Sequence, residues 1–82
     1  MSLFLVESTV SEVTNKEQFA ALVERVGQEQ DVTVIEVQVA KDFSRAYFIV
    51  EANEESQATT ALAAQNIQTD LVKEVRLVGK EL

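Results

Sequence analysis

A small α+β fold with the element order β-α-β-β-α-β is predicted by three observations. Apolar residues recur with a helical period in two stretches. Four other stretches are short and rich in β-branched or aromatic residues, and cap or turn signals separate them all. With 82 residues the chain has room for one hydrophobic core, so a single domain spanning 1–82 is expected.

Leu3-Phe4-Leu5-Val6-Glu7 is too short and too apolar for a helix and reads as a largely buried first strand. Thr14-Asn15-Lys16-Glu17 then has the form of a capping box, with Thr14 as N-cap. Phe19, Leu22, Val23 and Val26 follow at i, i+3, i+4 and i+7, one face of a helix that a sheet must cover. Val32–Ala40 and Phe43–Ala52 carry the composition of two strands, joined as a hairpin through Lys41-Asp42. A two-residue loop and a four-residue loop over 40–43 give one register, with Val37 opposite Ala46, Ile35 opposite Phe48, Gln38 opposite Arg45 and Glu36 opposite Tyr47. Asn53 is a good N-cap for a second helix reaching about Gln65. Its buried stripe is thin (Ala58, Ala61, Leu62, reaching to Ala64), and Asn66 suits a left-handed stop. Leu71–Val78 alternates loosely and reads as the fourth strand, with Gly79–Leu82 as a tail.

Right-handed crossovers place both helices on one face of a four-stranded antiparallel sheet of order 4-1-3-2, the ferredoxin-like arrangement. The continuous apolar runs of the first and third strands suit the centre of that sheet, and the charges of the second and fourth suit its edges. Alternation along the strands assigns Phe4, Val6, Ile35, Val37, Val39, Ala46, Phe48, Val50, Val75 and Leu77 to the helix side. The open face receives Leu3, Leu5, Glu7, Val34, Glu36, Gln38, Arg45, Tyr47, Ile49, Glu51, Val72, Glu74, Arg76 and Val78.

Composition excludes much chemistry. The chain has no cysteine and no histidine, which removes thiolate nucleophiles, disulfides, imidazole bases and the usual ligands of zinc, copper and nickel. Gly27 and Gly79 are isolated, so no glycine-rich phosphate loop exists. Net charge is −7 and the cations Lys16, Arg25, Lys41, Arg45, Lys73, Arg76 and Lys80 are scattered, which argues against nucleic acid and anionic membranes as partners. The short N-terminal apolar run lacks a preceding cation and does not read as a signal peptide, and no stretch reads as membrane-spanning. The expected location is cytoplasmic.

Half of the open face is apolar, and fully burying each such side chain is worth roughly 1.5–3 kcal/mol. A homodimer in which two open faces meet, as in dimeric α+β barrels, is the expected partner arrangement, with Leu3, Leu5, Val34, Ile49, Val72 and Val78 at the interface. The polar members Glu7, Glu36, Gln38, Arg45, Tyr47, Glu51, Glu74 and Arg76 are candidate ligand-binding residues lining a cavity between the sheets. The bland reading of the same residues is a set of mutual ion pairs.

Leu3-Phe4-Leu5-Val6-Glu7, Ala46-Tyr47-Phe48-Ile49-Val50-Glu51-Ala52 and Val72-Lys73-Glu74-Val75-Arg76-Leu77 together resemble a small ferredoxin-like domain-of-unknown-function family that includes a nickel-binding dimeric protein. The resemblance implies a dimeric α+β architecture and a metal at the dimer interface, and no ligand residue is carried over from it. The functional expectation is a non-enzymatic dimeric module that binds a small ligand or metal ion between the two sheets, with no catalytic residue and no cofactor. Two alternatives are a small cofactor-independent enzyme of isomerase or oxygenase type, using open-face Glu and Tyr residues, and a protein-interaction domain.

Overall fold

The computed structural model describes residues 1–78 and has the expected element order. Strand β1 (Ser2–Thr9) leads to helix α1 (Lys16–Gly27), strands β2 (Val32–Val39) and β3 (Arg45–Ala52), helix α2 (Glu55–Ala63) and strand β4 (Gln68–Val75). The sheet is antiparallel with order β2-β3-β1-β4, which is 4-1-3-2 counted from the other edge. The tail assigned to 79–82 lies outside the described residues.

Both helices cover the same side. Phe4 and Val6 of β1, Ala46, Phe48 and Val50 of β3, Phe19, Leu22 and Val26 of α1, and Ala58, Ala61 and Leu62 of α2 share one buried cluster. Phe48 and Leu62 are wholly shielded from solvent, and Phe19 lies with its ring centroid 6.4 Å from that of Phe48. The small side chains of Ala58 and Ala61 let α2 lie close on the sheet, while Ala64, the last residue of the expected stripe, is exposed past the end of the helix.

The helix starts differ from expectation by one residue, and α2 ends at Ala63, two residues before the expected Gln65. Asn15, not Thr14, caps α1: its Oδ1 accepts the Gln18 amide at 2.8 Å, while Gln18 Oε1 accepts the Thr14 amide at 2.8 Å. Glu54, not Asn53, occupies the N-cap of α2, and Gln57 Oε1 accepts the amides of both Asn53 and Glu54. The longer Gln side chain at the third helical position serves the free amides in both helices, so the cap moves to suit it. At the other end of α2, Asn66 adopts the left-handed conformation (φ 60°), with Ile67 N donating to Leu62 O and Asn66 N to Ala63 O. This is a Schellman closure, and its apolar clasp is buried Ile67 with buried Leu62.

The hairpin register is a correction. Residues 41–44 form the loop, with Ala40 N donating to Arg45 O at 2.9 Å and Phe43 N to Ala40 O at 2.9 Å. Asp42 Oδ1 accepts from the amide and hydroxyl of Ser44, and Phe43 takes a left-handed φ of 63° that places its ring 6.1 Å from Phe19. The partners slip by two residues as a result: Gln38 faces Tyr47 instead of Arg45, and Val37 faces Phe48 instead of Ala46. An even slip preserves the face of every side chain.

Two irregularities change faces. In β2, Val34 opposes Val50 and Glu36 opposes Ile49, so Ile35 is an extra residue at a bulge. Val34 therefore packs against the core, although the alternation assigned it to the open face, and Ile35 is 36% exposed, although it was assigned to the core. In β4, Val72 opposes buried Val6 and packs on the core, and Glu74 opposes Phe4, so both lie on the helix side, opposite to expectation. Leu71, Lys73 and Val75 take the open face instead, and Asp70 is the extra residue where the register with β1 shifts. The fourth strand starts at Gln68 and ends at Val75, so Arg76 and Val78 lie beyond the sheet rather than on its face, and Val78 is 72% exposed. Leu77 also lies past β4 and is only half-buried, and Val39, at the end of β2, is 38% exposed rather than core.

Candidate functional site

The open face is built from rows of side chains that run across all four strands. Thr33, Glu51, Leu3 and Val75 form one row; Glu36, Ile49, Leu5 and Lys73 the next; and Gln38, Tyr47, Glu7 and Leu71 the third. Arg45 and Thr9 stand side by side beyond them. Of the expected ligand residues, the structure thus brings together Glu7, Glu36, Gln38, Arg45, Tyr47 and Glu51, and leaves out Glu74 and Arg76. Of the expected interface residues it keeps Leu3, Leu5 and Ile49, and leaves out Val34, Val72 and Val78.

One corner of this face is an ion-pair network. Arg45 Nη2 donates to Glu7 Oε1 at 2.5 Å and lies 3.7 Å from Asp70 Oδ2. Asp70 also accepts from the Thr9 hydroxyl at 2.6 Å and from the Gln68 side-chain amide at 2.8 Å. These bonds hold the Asp70 carboxyl below its ordinary value: the Thr9 bond contributes most, then Gln68, and the Arg45 charge adds a smaller share. Arg45 and Glu7 therefore serve each other, as the bland reading had it. Asp70 escaped the sequence reading because it lies just before the stretch assigned to the fourth strand, and nothing in the pattern marks a bulge there.

The rest of the face is different. The side chains of Glu36, Gln38 and Tyr47 have no hydrogen-bond partner among the described residues. They line a hollow of about 190 Å³ together with Leu5 and Ile49. A second hollow of about 260 Å³ adjoins it across Gln38 and Tyr47 and reaches Arg45, Val39 and Ala40. Tyr47 is 41% exposed and Leu71 43%, so a large aromatic ring and a large aliphatic side chain stand open to solvent beside these polar groups.

A larger hollow of about 350 Å³ lies between the loop after α1 and helix α2. Its apolar lining is only Ala61 and Ala64, with Glu29, Asp31 and neutral polar side chains around them. Its lining is proportionally more polar and carries no large apolar side chain, so the open sheet face, with Leu5, Ile49 and Tyr47, is the stronger candidate despite its smaller hollows.

The described residues of one chain assemble no metal site. Among the described residues no three acidic side chains converge in a way that could hold an ion. Glu36, Glu7 and Glu51 are each at least one strand spacing (~4.8 Å) apart or displaced along the strands. The hard-cation oxygen cage that the absence of His and Cys would require is not assembled here.

No family model and no curated protein matches the sequence. Among solved structures the fold is similar to that of SCO4226 from Streptomyces coelicolor A3(2), with a TM-score of 0.76 at 11% identity, over 93% of this chain and 98% of that one. At that identity the likeness concerns the fold, which is the ferredoxin-like α+β arrangement. Among the described residues no helix is long and apolar enough to cross a membrane.

Proposed function

We propose that this chain is a binding module in which the open sheet faces of two copies meet and hold a small polar ligand beside Gln38 and Tyr47. The observation that carries the reading is the hollow lined by Leu5, Ile49, Tyr47, Glu36 and Gln38, where polar groups without a partner among the described residues stand on an apolar floor. Apolar walls with a few convergent polar groups are the usual makeup of a ligand pocket. In one copy the hollow is an open groove, and a second sheet packed about 10 Å away would roof it.

The polar groups define what fits. Gln38 offers an amide donor and an acceptor, Tyr47 a phenol and Glu36 an acceptor, while Arg45 at the far end is already engaged by Glu7. That set suits an uncharged or singly cationic organic molecule with hydroxyl or amide groups. The same set lacks a positioned acid–base pair, since Glu36 and Tyr47 are bonded neither to each other nor to a third group among the described residues.

The test is a thermal-shift screen of small polar metabolites on the purified protein, followed by the responders on Tyr47→Phe and Gln38→Ala. Loss of the shift in both variants, with mass by light scattering unchanged, supports the pocket. A shift that survives both places the ligand elsewhere, and a response only to another protein makes this an interaction domain.

A further inference from the structure

We infer that the two copies are related by a two-fold axis parallel to the strands, so that Glu36 of each copy faces Lys73 of the other. The inference rests on the proposed face-to-face dimer and adds its geometry. Its basis is the row Glu36, Ile49, Leu5, Lys73, which crosses the middle of the open face from edge to edge. An acid stands at the β2 edge, a base at the β4 edge, and two aliphatic side chains lie between. Three strand spacings separate the two charges, roughly 14 Å, so they cannot pair within one chain. Neither has an ion-pair or hydrogen-bond partner among the described residues.

Two sheets can be stacked face to face by a two-fold axis that lies between them, and the row then decides its direction. An axis along the strands exchanges left and right: each β2 edge then lies over the other copy's β4 edge, Glu36 meets Lys73 twice, and Ile49 meets Leu5 twice. In the next row Gln38 comes over Leu71 and Tyr47 over Glu7, so no like charges meet there. An axis across the strands leaves each edge over its own counterpart wherever it is placed, so Glu36 never meets Lys73, and through this row it sets Glu36 against Glu36 and Lys73 against Lys73. Like charges held face to face disfavour association, and opposite charges set the register of an interface.

Size permits the arrangement. Eight-residue strands of ~3.4 Å per residue and four strands ~4.8 Å apart give a flat footprint of roughly 500 Å² per copy, about 1,000 Å² for both, the lower bound for a specific interface. Aligned sheets pack ~10 Å apart, a gap that a Glu and a Lys side chain span between them.

Charge exchange tests the geometry separately from the dimer itself. Dissociation constants are measured by sedimentation for the wild type, Glu36→Gln, Glu36→Lys, Lys73→Glu and the double exchange, with circular dichroism confirming the fold of each. The expected result is a loss of tenfold or more in each charge reversal, a smaller loss in Glu36→Gln, and recovery to within about threefold of wild type in the double exchange. A tighter dimer in Glu36→Gln, or a double variant no better than the single reversals, overturns the axis while leaving a dimer in place. A monomeric wild type at all concentrations overturns the dimer and this inference with it. Glu36 and Lys73 are on the solvent side of the sheet, so a reversal that unfolds the chain also contradicts the placement, and Lys73→Met then reports the same contact without a like charge.

Discussion

Ile49→Asp places a carboxylate at the centre of the open face, beside Leu5 and Glu36. In a monomer the consequence is small. Ile49 is only half-buried there, so its loss removes about 1 kcal/mol of burial from a domain whose total stability is of the order of 4–12 kcal/mol, and the chain stays folded. In the face-to-face dimer the same change acts twice. On association each copy loses only the remaining half of one Ile's burial, roughly 0.75–1.5 kcal/mol, which over two copies is about 1.5–3 kcal/mol. At 1.4 kcal/mol per factor of ten the dissociation constant rises by a factor of about 10 to 10² before the desolvation of two unpaired carboxylates is counted, which raises it further. Light scattering from low micromolar to submillimolar protein, with circular dichroism at each concentration, separates the cases. The expected result is a dimer for the wild type and a folded monomer for Ile49→Asp. An unchanged dimer mass and affinity in the variant would refute the reasoning, because the buried surface would then lie on another face.

Neighbouring residues of β2 should respond in opposite ways: Val34→Asp, which drives a charge into the core beside Val50, should unfold the domain. Ile35→Asp should leave the helix content at the wild-type level, and the reverse pattern in thermal melts would move the bulge. Asn66→Ala should destabilise by about 1 kcal/mol and Asn66→Gly should be neutral or stabilising, since only the first strains a left-handed residue; equal denaturation midpoints would count against the Schellman closure. The depressed carboxyl of Asp70 contributes stability that is present above the unfolded value of 3.8 and is lost as pH falls through the folded value. Asp70→Asn should therefore be slightly less stable near neutrality and converge with wild type at the acid end, and parallel stability curves across that range would mean the Thr9 and Gln68 bonds carry no linkage.

The chain determined by itself the elements whose two faces differ sharply. In α1 a four-residue apolar stripe against charged neighbours admits one orientation, and Phe19, Leu22 and Val26 are buried as the period requires. The same holds for β1 and β3: at the sheet centre their helix-side residues Phe4, Val6, Ala46, Phe48 and Val50 are large or tightly enclosed, and alternation places each correctly. From these strands came the open-face members Leu3, Leu5, Glu7, Arg45, Tyr47, Ile49 and Glu51. The edge strands were decided by tertiary structure, because β2 and β4 carry aliphatic residues on both faces and their sequences fit two alternations about equally well. In β4 only the pairing of Val72 with Val6 selects the face, and Leu71, Lys73 and Val75 join the candidate interface as a result. In β2 the bulge at Ile35 lets Val34 reach the core without moving Glu36 from the open side. A bulge is one extra residue inserted to satisfy twist and packing between strands, a condition set by the partner strand and so not encoded in the local pattern. The hairpin loop obeys the same logic: Phe43 accepts a left-handed backbone because its ring gains a place beside Phe19, a contact 24 residues away in sequence that no turn propensity contains.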